Sequence, residues 1–141
     1  MSCKKKKEAR PKVFELKFMN LCTEGCYRHP EMLDNLWEDA VGQGKEQEIL
    51  EAKDDSGDSP LHKTAENGRP TVMNWIFNKW KEQGLALDVN KKNSDGYTPL
   101  FHCCLKGFLG NETVAGKSQE TKICRLECVK MLHENGADVN F

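Results

Sequence analysis

The chain has 141 residues, of which 38% are hydrophobic and 30% are charged, and its formal net charge is −1. These values are typical of one soluble domain. No apolar run approaches the roughly 20 residues of a membrane-spanning helix, and residues 1–10 lack the apolar core of a signal peptide, which disfavours a membrane span and secretion. Because the seven cysteines are an odd number, we expect reduced thiols in the cytoplasm or the nucleus rather than a disulfide framework.

A basic leader is predicted over residues 1–30. Residues 1–20 contain seven Lys or Arg and two Glu residues, a net charge of +5, so the rest of the chain carries −6. Such a leader can contact an acidic partner, nucleic acid, anionic lipid or the protein's own body. A lysine run without interleaved aromatic residues is a weak nucleic-acid signal, and a solvated tail is the favoured interpretation. Residues 13–19 alternate weakly and predict either a strand or a short helix.

The next segment, residues 31–53, is predicted to form two helices. Leu33 and Trp37 follow helical spacing, Gly42 interrupts the pattern, and residues 46–52 predict a short second helix.

Two related nine-residue phrases follow, and their starts lie 39 residues apart, at positions 54 and 93. Residues 54–62 are DDSGDSPLH and residues 93–101 are NSDGYTPLF. The glycine in each phrase is typical of a tight hairpin turn. The Ser-Pro and Thr-Pro pairs predict an N-cap followed by proline at the first helical position.

Each phrase is followed by a glycine and an apolar run. Gly68 and Gly107 are predicted to end the first helix of each unit in the left-handed conformation, and the apolar run predicts a second, antiparallel helix. The sequence therefore predicts an all-α solenoid of helix-turn-helix units with β-hairpin fingers, because units of this kind bury their apolar faces by stacking.

These residues resemble the ankyrin repeat, whose pattern is Asp-x-x-Gly-x-Thr-Pro-Leu-His-x-Ala, a later Gly, an apolar helix and Gly-Ala-Asp-Val-Asn. The chain matches it with SPLH at 59–62, TPL at 98–100 and GADVN at 136–140. The resemblance implies a degenerate first repeat or N-terminal cap at 31–53, a repeat with an extended second helix at 54–92, and a repeat at 93–141 with a long insertion at about 108–125. Phe101 departs from the pattern, since it replaces the usual His.

The resemblance also implies a function: a noncatalytic protein-protein interaction module that binds a protein partner through its hairpin tips and concave inner helices. Tyr97 is the best candidate anchor, because it combines an aromatic ring with a polar tip; the alternative is that it packs against the adjacent finger. The residues predicted to bind the partner are Asp55, Asp58, Lys63, Glu66, Asn67, Asp95, Tyr97 and His102.

An alternative function is the N-terminal regulatory ankyrin segment of a larger enzyme, channel or scaffold assembly. The apolar residues at 129, 131 and 132 are typical of an internal repeat, and stacks need a polar terminal cap. We therefore expect the C-terminal end to stack on further repeats or on a partner.

The sequence does not predict catalysis, a bound cofactor, a metal ion or a small-molecule substrate. Residues 110–118 resemble a phosphate-binding loop, but five residues rather than four separate the two glycines. Cys22, Cys26 and His29 form an incomplete zinc-ligand set. Instead, His62 is expected to bridge neighbouring fingers, as the resemblance implies. Cysteines 103, 104 and 128 are predicted to be small buried core residues.

Overall fold

The computed structural model describes residues 12–26, 29–109 and 118–138. They form seven helices: α1 (Val13–Glu24), α2 (Glu31–Gly42), α3 (Glu46–Leu50), α4 (Pro60–Asn67), α5 (Pro70–Glu82), α6 (Pro99–Leu109) and α7 (Ser118–Glu134). These residues contain no β-strand, so the all-α class is confirmed and the β-hairpin form of the fingers is not. Within the described residues, no helix combines the length and the apolar character needed to cross a bilayer.

The helices pack as an inner and an outer layer. The inner helices are α1, α4 and α6, and α4 contacts both of the others. Each inner helix also contacts the outer helix that follows it: α1 contacts α2, α4 contacts α5, and α6 contacts α7. Residues 13–19, for which the sequence left a strand or a helix open, belong to helix α1. Because α1 lies within the predicted leader of residues 1–30, the packed region begins before the predicted first repeat at 31–53.

The local signals that start and end α4 are confirmed. Ser59 caps the helix in a reciprocal pair with His62, Pro60 is the first helical residue, and Gly68 ends the helix with a φ of +64°. At the start of α6, the Thr98 hydroxyl accepts a hydrogen bond from the Phe101 amide at 3.2 Å.

Gly107, in contrast, does not end α6, which continues to Leu109. The predicted helix end is therefore wrong, because glycine permits the left-handed conformation but also adopts the helical one. The predicted insertion at about 108–125 is also partly helical, since α7 begins at Ser118. Residues 110–117, which include most of the loop that resembles a phosphate-binding sequence, lie outside the described part of the chain.

One hydrophobic core runs through the array. Phe18 from α1, Leu61 from α4 and Leu132 from α7 are each at most 1% exposed. Trp80, in the extended part of α5, is also buried and therefore serves the core.

The cysteines of α6 and α7 behave differently from one another. Cys103 and Cys128 are buried as predicted, and burial raises the pKa of the Cys103 thiol to about 12. Cys104 is exposed, so its prediction as a buried core residue is wrong. It follows Cys103 directly, and successive residues of a helix point about 100° apart.

Candidate protein-binding surface

The two fingers, residues 54–58 and 93–97, share one hydrogen-bonding pattern. The Asp54 carboxylate accepts from the amides of Ser56 and Asp58, both at 2.9 Å. The Asn93 side-chain oxygen accepts in the same way from Asp95 at 2.9 Å and from Tyr97 at 3.0 Å. Asp and Asn favour such turns because their short side chains reach the backbone two residues on.

Neighbouring fingers touch directly. The Ser94 amide donates to the Ser56 carbonyl at 3.2 Å, and the Asn93 side chain donates to the Asp58 carboxylate at 2.7 Å. Gly57 has a φ of +77°, which favours glycine, and a Cβ atom there would lie 3.2 Å from the Ser94 backbone nitrogen, so the close approach of the second finger leaves little space for a side chain. The tips of the two fingers therefore form one continuous surface.

His62 joins the fingers from below, as predicted. Its Nδ1 accepts a hydrogen bond from the Ser59 amide at 3.1 Å. The proton of the neutral ring must therefore be on Nε2, which donates to the Tyr97 carbonyl at 2.7 Å. Burial lowers the pKa of His62 by more than the bond to Tyr97 raises it, which keeps the ring neutral in the folded protein.

Lys63 lies among three carboxylates. Its ammonium nitrogen is 3.2 Å from Asp54 and 3.7 Å from both Asp58 and Glu66. Burial raises the pKa of Asp54, but hydrogen bonds from Asp58, Lys63 and Ser56 outweigh burial and lower it. Burial likewise lowers the pKa of Lys63, but the Asp54 hydrogen bond and the surrounding carboxylates raise it overall. The cluster is a structural ion-pair network at the base of the fingers.

The same region contains a set of possible metal ligands that the sequence pattern did not predict. Ligand atoms of Asp58, Glu66 and His102 lie within 4.8 Å of one another. The Lys63 ammonium already supplies positive charge beside both carboxylates, so the geometry favours the ion-pair network over a metal ion. No sequence signal could have found this group, because 36 residues separate Glu66 from His102.

The other candidate metal set, on α1 and the turn after it, has a different character. Cys22 and Cys26 are buried, whereas the His29 side chain is 68% exposed. Burial raises the pKa of both thiols.

The predicted partner-binding residues divide by exposure. Asp55 and Asp95 are exposed at the finger tips. Lys63, Glu66, Asn67, Tyr97 and His102 are half-buried. Asp58 is only 4% exposed, and its bonds to Asn93 and Lys63 commit its side chain to the fold.

Tyr97 lines a cavity beside the second finger. Its ring packs on Phe101, with centroids 4.7 Å apart, and the two residues line a cavity of about 360 Å³ together with Lys92 and Asp138. Lys92 and Phe101 were not predicted as surface residues. The repeat pattern marks Phe101 only as a departure from His.

Comparison with known proteins gives one positive result. The family model described as ankyrin repeats, in three copies, matches residues 21–141. No curated protein matches the chain.

Proposed function

Because the chain belongs to the ankyrin repeat family, we propose that it is a noncatalytic module that binds a protein partner through its finger tips and concave inner helices. Ankyrin repeats generally mediate protein-protein interaction. The observation that carries the proposal is the direct contact between fingers, Ser94 to Ser56, because it joins the tips of two units into one continuous surface. The alternative role within a larger assembly stays a prediction.

The chemistry of this surface favours a partner with basic side chains. Asp55 and Asp95 project from successive tips, while Tyr97 stands between the second tip and the inner helix α6. Carboxylates of this kind steer oppositely charged partners and add specificity. A partly exposed aromatic ring beside them supplies contact area that a flat polar surface lacks.

The experiment that tests this function is quantitative affinity capture with the tagged full chain. The variant Asp55→Lys/Asp95→Lys reverses both tip charges, and the matched control Glu38→Lys/Asp39→Lys makes the same change on the exposed side of α2. We expect proteins captured by the wild type to be retained by the control and lost by the tip variant. Equal capture by all three proteins would contradict the proposed surface.

A further inference from the structure

A second surface lies on the outer layer, in the groove between helices α2 and α5. It has a volume of about 460 Å³ and is lined by Trp75 together with Glu31, Asp34, Lys79 and Glu82. None of these residues belongs to the fingers or the inner helices. The groove is thus separate from the proposed partner-binding surface.

The indole ring of Trp75 lines the groove, the buried ring of Trp37 packs beside it, and a cation lies near both rings. The Trp37 and Trp75 centroids lie 6.3 Å apart, with the ring planes at 67°. The Lys79 ammonium lies 5.2 Å from the Trp37 centroid and 5.4 Å from that of Trp75. Both distances are within the range of a cation-π interaction. The Lys79 side chain is only 14% exposed, and its ammonium also pairs with Glu82 at 3.1 Å.

The charges that line the groove exceed what Lys79 neutralises. Glu31, Asp34 and Glu82 supply three negative charges against one positive charge, which leaves −2. The side chains of Glu31 and Glu82 are each 62% exposed. Asp34 is exposed as well, and it accepts a hydrogen bond from the Trp75 indole nitrogen at 3.0 Å. The groove therefore combines a half-buried indole ring with three exposed carboxylates.

We propose that this groove is a second docking surface, which binds a basic segment of a protein partner. An Arg or Lys side chain of that segment lies against Trp75 and pairs with the carboxylates of Glu31, Asp34 and Glu82. Arginine fits best, because its planar guanidinium stacks on aromatic rings and binds carboxylates with two hydrogen bonds. Nucleic acid and anionic lipid carry the wrong charge for this surface.

The first test titrates the full-length protein with a short peptide of alternating Arg and Gly and follows the Trp75 indole N–H signal by NMR, assigned with Trp75→Phe. The triple variant Glu31→Gln/Asp34→Asn/Glu82→Gln should weaken binding about tenfold, since each lost charge pair contributes a fraction of a kcal/mol to a few kcal/mol. The matched control Glu38→Gln/Asp39→Asn/Glu51→Gln removes the same charge from exposed positions outside the groove. Equal weakening by both triple variants would overturn the proposal, because it would mean that binding depends on the net charge of the protein and not on the groove.

The second test uses the internal cation. Lys79→Met should tighten peptide binding about threefold or more, because it removes a cation that competes for the Trp75 ring. Lys81→Met is the matched control, because Lys81 is exposed on the same helix outside the groove. We expect the affinity of the Lys81→Met variant for the peptide to stay within about twofold of wild type. Unchanged or weaker binding by Lys79→Met would contradict the proposed role of the rings.

The third test separates a partner from the chain's own basic segment. Replacing the four lysines at 4–7 by Gln removes the densest positive charge of the sequence. Peptide affinity should not change if the groove is open to a partner. Tighter binding would overturn the partner assignment, because it would show that this segment competes for the groove. The tip variant Asp55→Lys/Asp95→Lys leaves the groove residues intact, so failure of the proposed function is distinguishable from failure of this one.

Discussion

At the residue scale, His62 links helix capping, contact between fingers and pH. Its Nδ1 accepts from Ser59 and its Nε2 donates to Tyr97, an arrangement that only the neutral ring satisfies. Burial lowers its pKa from about 6.5, the value expected in the unfolded chain. Below about pH 6.5 the unfolded chain therefore binds a proton that the folded protein does not, and the free energy of unfolding decreases as the pH falls toward the folded pKa.

The variant His62→Gln tests this linkage. We expect it to reduce the free energy of unfolding by about 1–3 kcal/mol at neutral pH, because buried hydrogen-bonding groups lose their partner. It should also lose less stability than the wild type between about pH 7 and about pH 5, because the group that titrates is gone. Urea denaturation at both pH values measures the two effects. His29→Gln, at a side chain that is 68% exposed, is the control for the substitution itself and should change the free energy of unfolding at neutral pH by no more than about 0.5 kcal/mol.

At the element scale, α1 shows where sequence patterns fail. Phe14, Phe18 and Cys22 are buried, but Val13 and Leu16 are 48% and 62% exposed, so apolar residues occur on more than one side of the helix. Its N-cap residue Lys12 makes no side-chain cap bond, and the Phe14 amide in the first turn instead donates to the distant Glu48 carboxylate at 3.0 Å. Local sequence signals therefore mark the element only weakly, and its contacts with α2, α3 and α4 hold it in the stack.

The turn at Gly57 and the start of α4, in contrast, were predictable because their signals are local. Gly57, Ser59 and Pro60 each act within a few residues of their own position. The groove was not predictable, because Trp37 and Trp75 lie 38 residues apart in sequence and only tertiary packing brings them together. The contact between Arg125 and Glu66 was not predictable either, because these residues are also distant in sequence. Arg125 donates to the Glu66 carbonyl at 3.1 Å and joins α7 to α4.

The pair Phe18→Ala and Leu16→Ala tests whether α1 is part of the stack. Phe18 is 0% exposed and packs against Trp75 and Trp80, with centroids 5.8 Å and 6.5 Å away. Its removal should cost about 3–5 kcal/mol, as for other buried aromatic residues. Leu16 lies on the same helix but is mostly exposed, so its change should stay within about 0.5 kcal/mol. Chemical denaturation measures both; equal, small effects would mean that α1 does not contribute to the core.

At the scale of the whole molecule, the central helix α4 connects the units. It contacts α1, α5, α6 and α7, and the Cys128 thiol of α7 reaches the Thr64 carbonyl of α4 at 3.7 Å. In repeat proteins, stability is the sum of the terms within units and the terms between neighbours. Strong contacts between neighbours make a short stack unfold as one unit, whereas weak contacts allow an end to unfold alone.

The position of the tryptophans allows these two cases to be distinguished. All three, at 37, 75 and 80, precede the second finger phrase at residue 93, so fluorescence reports on the first part of the stack, while circular dichroism reports on all helices. Leu132→Ala removes a fully buried side chain from α7 and should cost about 2–5 kcal/mol. Because α7 contacts α4 and α5, we expect the fluorescence and dichroism midpoints to shift together.

The exposed Leu126→Ala on the same helix, 61% accessible, should shift neither midpoint. An early dichroism transition with unchanged fluorescence in Leu132→Ala would mean that the last unit unfolds independently. The contact between fingers would then be made and broken within the folded protein, because its two sides, Ser56 and Ser94, belong to different units. A concerted transition instead keeps both tips in one fixed arrangement, which is the rigidity that a binding surface shared by two repeats requires.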